Sequence, residues 1–318
     1  MGEKIGAQIS TSSGRSRIFA MVTMEKSREY TRHALRSFFA TTPLRENDRF
    51  VLINNDDPNA EELRAPFSRV EHCVRETPHG FAANVNSMIE EALLSQADLF
   101  FLNNDIIFSE GWLLPLLESE RSVCAPISNR EVQYVGSVVL PKTEVVQQMF
   151  VFDGPMTLEQ YLEAPRMFEA IADAHRRSST GKMRLTVFPF YCVKLPFLVL
   201  QQIGKFDESY GVAGGEDYDY CLRAWLAGFD VHMTLETILL HFWGKSTWSS
   251  HEGKSASYNK EFLQIFRDKW GEALYRYVLC EDDSLLRANA KAEELRQQGD
   301  LKGMIEQVMR PGVSLRID

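Results

Sequence analysis

The run Leu99-Phe100-Phe101-Leu102-Asn103-Asn104-Asp105 decides how this chain is read. Four consecutive apolar residues have the length of a strand buried on both faces, and the polar triplet that follows stops it. The same pattern stands upstream. Residues 18–23 form a short apolar run that leads into a helical pattern through Tyr30, Ala34, Leu35 and Phe38, and residues 50–53 form another, stopped by Asn54-Asn55-Asp56-Asp57-Pro58. Residues 70–75 read as a further strand, and His79-Gly80 opens a helical pattern through Phe81, Val85, Met88, Ile89, Ala92 and Leu93. Strands alternating with helices predict an α/β fold with a mainly parallel sheet flanked by helices. In such sheets ligands sit outside the carboxyl ends of the strands. Both Asn/Asp clusters fall at that edge.

Downstream, residues 141–183 are more charged and helical in pattern, and read as an insertion. Residues 186–195 return to strand-like character, 199–203 to a short helix or turn, and 216–227 to a helix that Gly228 ends. Residues 229–234 and 237–242 read as two short strands, 244–259 as a loop, and the chain from Lys260 onward as amphipathic helices. These readings predict a loose tail over 1–17, one α/β domain over 18–250 that holds the insertion, and a helical C-terminal extension over 251–318.

Composition narrows the function classes. The chain has 318 residues, 44% hydrophobic and 25% charged, the balance of a globular protein with a sizeable core. A formal charge of -9 disfavours a non-specific grip on nucleic acid, which needs a surplus of Lys and Arg, though a local basic patch stays open. Five cysteines without a C-x-x-C pair suit reduced thiols in a cytoplasmic protein. No apolar run approaches the roughly 20 residues that span a bilayer, which leaves contact with a membrane surface open. The P-loop, G-x-G-x-x-G and G-x-S-x-G patterns are all missing from the sequence.

Three motifs carry chemistry. Asn103-Asn104-Asp105 places one carboxylate at a strand end, where it suits a hard divalent cation such as Mn2+ or Mg2+, and equally suits an Asx turn. Gly214-Gly215-Glu216-Asp217-Tyr218-Asp219 sets three carboxylates at a loop-to-helix junction, the place for a catalytic base or for acids that merely complement the helix dipole. Asp219 and Arg223, four apart, read as a salt bridge on one helix face. His241 ends an apolar run before Phe242-Trp243-Gly244-Lys245-Ser246 and reads as a metal ligand or a packed structural histidine.

The order of these motifs resembles the family 2 glycosyltransferases, in particular the rhamnosyltransferase-like members. Residues 51–59 (VLINNDDPN) are similar to that family's second strand and donor-binding turn, and 80–86 (GFAANVN) to its n-x-G-F-a-x-x-x-N segment, with Pro78 at the first Asn. Residues 100–117 (FFLNNDIIFSEGWLLPLL) are similar to its metal motif and following helix. Residues 203–229 (IGKFDESYGVAGGEDYDYCLRAWLAGF) are similar to its long "iGgFDe…gEDxDlclRa..aGy" block, and 241–246 to its "H…gkS" ending.

The resemblance implies a GT-A, Rossmann-like fold and metal-dependent, inverting transfer of a hexosyl or deoxyhexosyl group from a nucleotide-diphosphate sugar to an acceptor hydroxyl. It implies Asp217 as catalytic base with Glu216 beside it, and Asp105 with His241 as ligands of Mn2+ or Mg2+. Thr23, Asn54, Asn55, Asp56, Gly80, Asn84, Asn86, Asn103 and Asn104 are implied on the donor side. Asn54 stands where relatives usually carry the Asp that meets the base, so the nucleotide stays open. The acceptor, a glycan, a glycolipid or another hydroxyl, is also open, and the C-terminal helices suit homodimerisation. A nucleotidyltransferase and a non-catalytic sugar-binding or scaffold protein are the competing readings.

Overall fold

The computed structural model describes residues 14–129, 156–245 and 255–318. The expected tail up to residue 13, the insertion up to residue 155 and residues 246–254 of the expected loop lie outside the described residues.

The first half builds the expected parallel unit. Strand β1 (Arg17–Thr23) pairs in parallel with β2 (Arg49–Asn54) on one side and with β4 (Asp98–Leu102) on the other, and β3 (Val70–Val74) extends the sheet beyond β2. The chain thus walks outward from β1 to β3 and returns to the far side of β1. That reversal opens a crevice at the carboxyl ends of β1 and β4, where open α/β sheets bind ligands. Helices Arg28–Thr41 and Phe81–Leu94 cover this unit. The packing is aromatic. Fully buried Phe19 stacks on Phe100 with ring centroids 4.8 Å apart and meets Phe38 edge-on at 5.1 Å. Each such ring contributes about 1.5–3 kcal/mol by leaving water.

The second half is mixed. β8 (Cys192–Leu195) runs antiparallel to β4, β6 (Ser122–Ser128) antiparallel to β8, and β9 (Asp230–His241) parallel to β6. Two short strands, β5 (Ile106–Ile107) and β7 (Lys182–Arg184), pair antiparallel with β9. The sequence reading is corrected at four points. The two strands expected over 229–242 are the single strand β9, whose register with β6 shifts where Pro126 interrupts the ladder, a usual place for proline in a sheet. Of residues 186–195 only the last four are strand. β6 was not expected, since its seven residues include that proline and two serines. The loop expected to reach residue 259 ends earlier, because the helix Ser255–Trp270 begins at Ser255.

The helix Glu216–Leu226 ends as expected, with Gly228 at a φ of 81° and the Phe229 N–H returning to the Ala224 carbonyl at 2.9 Å. The C-terminal helices pack against the α/β unit. Arg223 and Asp219, both fully buried, form the expected pair at 2.8 Å, and Asp219 also accepts from the Trp270 indole N–H at 2.8 Å and contacts Lys269 at 2.7 Å. The chain's end closes on the same region, where the Lys205 N–H donates to the Ile317 carbonyl at 2.7 Å. Among the described residues no helix is long and apolar enough to cross a membrane.

Candidate active site

A cavity of about 530 Å3 opens at the carboxyl edge of the sheet, and the ends of the central strands converge on it. Val22 reaches it from β1 and Met24 from just beyond it, Asn55 from the turn after β2, and Asn103 to Asp105 from the turn after β4. Because β8 is antiparallel to β4, with Cys192 beside Leu102, the residues before β8 arrive at the same edge. There the Asn103 N–H donates to the Tyr191 carbonyl at 2.7 Å.

Asp105 and His241 meet because β5 and β9 pair antiparallel with Ile106 opposite His241. Asp105 Oδ1 lies 3.3 Å from His241 Nε2, and the two side chains are 1% and 4% exposed. The contact does not satisfy them. Asp105 Oδ1 and both His241 ring nitrogens lack hydrogen-bond partners, an arrangement that costs free energy unless something else coordinates them. The rest of both residues is held firmly. Asp105 Oδ2 accepts from the Lys245 N–H at 3.2 Å, the Asp105 carbonyl accepts from the Phe242 N–H at 2.9 Å, and the His241 N–H donates to Asn129 Oδ1 at 2.7 Å. Burial pushes the Asp105 carboxyl up, but the neighbouring His241 and the hydrogen bonds outweigh it and hold it below its ordinary value. The Tyr191 ring stacks on His241 at 4.9 Å and sets its plane. A buried carboxylate and an imidazole with unsatisfied atoms side by side fit a divalent cation. Among the described residues no group of three such side chains forms, so a cation held here would complete its shell from ligand oxygens and water.

The second element is the turn Gly214-Gly215 before the helix Glu216–Leu226. Both glycines have positive φ, 116° and 86°, which lets the chain enter the helix with Glu216 folded back to accept the Gly214 N–H. Glu216 is buried, and that burial together with the adjacent Asp217 raises its carboxyl from 4.5 to about 8. Asp217 is half-buried and faces the cavity. Its Oδ1 accepts the Tyr218 N–H at 2.8 Å and its Oδ2 the Phe190 N–H at 3.2 Å, and the helix N-terminus favours its negative charge.

The remaining expected residues divide. Asn55, Gly80, Asn84, Asn103 and Asn104 line the cavity with Asp105, Glu216, Asp217 and His241. Asn55 and Asn84 spend their amides on the backbone of His79. Asn55 Oδ1 accepts the His79 N–H at 2.9 Å, and both Nδ2 groups donate to the His79 carbonyl, at 3.1 and 3.2 Å. Asn104 turns its amide toward Ser27 and Thr31, at 2.7 and 2.9 Å. Thr23, Asn54, Asp56 and Asn86 do not line the cavity. Thr23 pairs with Thr31, Asn54 closes a turn on Asp57, Asp56 accepts from the Glu25 N–H, and Asn86 ties the Phe81–Leu94 helix to Phe206 and Glu208. Gly80 is fixed by space, since a Cβ there would stand 2.6 Å from the Gly211 carbonyl oxygen.

Sequence reasoning missed Phe190, Tyr191, His79 and Phe262, all in the cavity wall. Only His79 carried a local signal, its place before Gly80. Trp243, at the same wall, holds a φ of 57°, uncommon for a bulky residue.

Neither a protein-family model nor a curated protein matches the sequence. Solved structures do share its fold. GalNAc-T7, solved with UDP, GalNAc and Mn2+, is similar at a TM-score of 0.56 and 13% identity, over 92% of this chain and 57% of that one. The mannosyltransferase PcManGT from Pyrobaculum calidifontis, solved with GDP-Man and Mn2+, is similar at 0.51 and 10% identity, over 94% and 76%. The fold is the GT-A arrangement of a mixed α/β sheet flanked by helices. This chain spans little more than half the length of the GalNAc-T7 chain.

Proposed function

We propose that this protein is a metal-dependent glycosyltransferase that moves a hexosyl or deoxyhexosyl group from a nucleotide-diphosphate sugar to an acceptor hydroxyl with inversion. One observation carries the reading: a single strand-end cavity holds both the Asp105–His241 pair, with its unsatisfied buried atoms, and the Asp217 carboxylate on a helix N-terminus. Its support is chemical. The described wall has no Lys or Arg, so the charge of a diphosphate in this cavity needs a cation from elsewhere. Asp105 and His241 would hold Mn2+ or Mg2+, which would supply positive charge against the negative charge that grows on the leaving group.

Asp217 is assigned the proton. In the transfer, the acceptor oxygen forms its bond to the anomeric carbon as the bond from that carbon to the diphosphate oxygen breaks. The electron pair leaves with the nucleoside diphosphate, and the hydroxyl proton passes to Asp217. Glu216 holds the turn that aims Asp217, and its raised pKa keeps a second negative charge away from the base near neutral pH. The nine polar and glycine positions implied on the donor side then fall into two groups, with Asn55, Gly80, Asn84, Asn103 and Asn104 at the donor pocket and Thr23, Asn54, Asp56 and Asn86 bracing it from behind. We take the protein to act in the cytoplasm.

The test is a screen of nucleotide sugars for thermal stabilisation with and without Mn2+, followed by hydrolysis of any hit. Metal-dependent stabilisation by one donor is the expected result. Equal stabilisation with and without metal sinks the scheme, and release of pyrophosphate from a nucleoside triphosphate would replace it with a nucleotidyltransferase.

A further inference from the structure

Residues 251–318 look like an appendage in the sequence, yet two of them, Phe262 and Leu279, line the cavity. Phe262, on the helix Ser255–Trp270, is half-buried and lines the wall beside Gly214, Gly215 and Asp217. Its ring lies against both glycines. A Cβ on Gly214 would stand 2.9 Å from two of its ring carbons, and one on Gly215 would stand 3.3 Å from a third and 3.1 Å from the Tyr210 ring behind. The two glycines therefore do more than permit positive φ, because their missing side chains make room for an aromatic ring on the turn that aims Asp217.

We propose that Phe262 is the stacking platform for the acceptor, and that the acceptor is a neutral pyranose sugar. This rests on the glycosyltransferase reading, because an acceptor hydroxyl must lie within hydrogen-bond reach of the base, and Phe262 packs on the turn that carries it. A pyranose presents a face of C–H groups that packs on an aromatic ring while its hydroxyls point outward. A serine or threonine of a peptide presents no such face. The charge of the wall favours neutrality. Asp217 brings a carboxylate, a cation at Asp105 and His241 is taken up by the donor diphosphate, and no Lys or Arg among the described residues lines the cavity, so a sugar acid or phosphorylated sugar beside Asp217 would meet like charge without a side-chain cation.

The test uses the full-length protein with the donor and Mn2+ and three sets of acceptor probes: neutral methyl hexopyranosides, methyl glucuronides, and Ser/Thr peptides. Transfer to a neutral pyranoside is expected, and preferred transfer to a glucuronide or a peptide overturns the proposal. Phe262→Leu is expected to raise the acceptor KM by about tenfold, with a much smaller change in donor KM. Phe262→Tyr is expected to keep the wild-type acceptor KM, and Phe262→Trp is expected to show a larger fluorescence change on adding the pyranoside than wild type, in which Trp243 already lines the cavity. An unchanged acceptor KM in Phe262→Leu, or a donor KM that rises as much as the acceptor KM, assigns the ring a packing role only. If Phe262→Leu fails to fold, the Tyr and Trp variants decide, since a Trp variant with no larger change than wild type and a Tyr with raised acceptor KM both refute stacking. Wild-type protein that neither binds nor hydrolyses any nucleotide sugar overturns the underlying reading, a result visible before any acceptor is added.

Discussion

Asp105 Oδ1 and His241 Nε2 stand 3.3 Å apart, buried together and unsatisfied, because a two-residue strand after the Asn-Asn-Asp turn pairs with the last residues of β9. The backbone of each is fixed independently, one by Phe242 and the other by Asn129, so the approach is built into the sheet. If the pair holds a cation, Asp105→Ala and His241→Ala should each weaken donor binding in Mn2+ by tenfold or more and leave the metal-free affinity unchanged. The double variant should be little worse than either single one, since the two act as one site. Calorimetry with a nucleoside diphosphate checks this, and additive losses would argue for separate roles.

Asp217→Asn keeps the shape of the side chain but cannot take a proton. Transfer should fall by about 10²–10⁴-fold, with donor affinity within about twofold of wild type. Single-turnover assays beside donor titrations separate the two effects, and near-normal turnover removes Asp217 from the role of base.

Glu216 makes a prediction about pH. Its carboxyl titrates near 4.5 when unfolded and near 8 when folded, so the folded protein holds the proton more tightly. Stability from this group is therefore full below about pH 4.5 and is lost as pH rises through about 8. Glu216→Gln mimics the protonated form. Its melting temperature should decline less than that of wild type between pH 5 and 8, and transfer should lack the wild-type decline above pH 8. Parallel melting curves for the two proteins across that range would refute the assignment.

The buried pair Asp219–Arg223 predicts how tightly the C-terminal helices belong to the α/β unit. Asp219 is shared by Arg223, Trp270 and Lys269, so Asp219→Ala removes the carboxylate that pairs with the fully buried Arg223 and the acceptor of the Trp270 indole N–H, while Lys269 keeps Asp207 at 2.6 Å. The expected destabilisation is about 3–5 kcal/mol. Denaturant unfolding with a single transition is expected for wild type, and a separate early transition for residues 255–318 would show that they are not part of one cooperative unit.

Gly80→Ala tests the loop that closes the cavity. Its Cβ would clash with the Gly211 and Val212 carbonyls, at 2.6 and 3.0 Å, and part the Phe81 N–H from its 2.8 Å bond to Val212. A loss of about 1–3 kcal/mol of stability is expected, together with weaker donor binding. A neutral substitution would mean that the loop yields freely.

Local chemistry made much of this protein legible before its structure. Apolar runs of strand length, two of them ended by Asn and Asp, predicted the parallel unit β1 to β4 and the edge at which the cavity lies, since turn chemistry and burial are properties of neighbouring residues. The same locality explains the errors. β6 hid its strand character behind Pro126, and β9 looked like two strands because Thr234, Glu236 and Thr237 break its apolar pattern at the register shift.

The site itself was half legible. The order of motifs singled out Asp105, Glu216, Asp217 and His241, and all four line the cavity. Composition could not say that Asp105 and His241 touch, that the Asn55 and Asn84 amides are spent on His79, or that Phe262 reaches the Gly214-Gly215 turn. Each of those facts depends on strand pairing or helix docking between segments far apart in the chain. The sequence by itself determined which groups were available and at which end of the sheet they would stand. Only the tertiary structure decided which of them face one another with unsatisfied atoms, because that depends on register and packing across the whole fold.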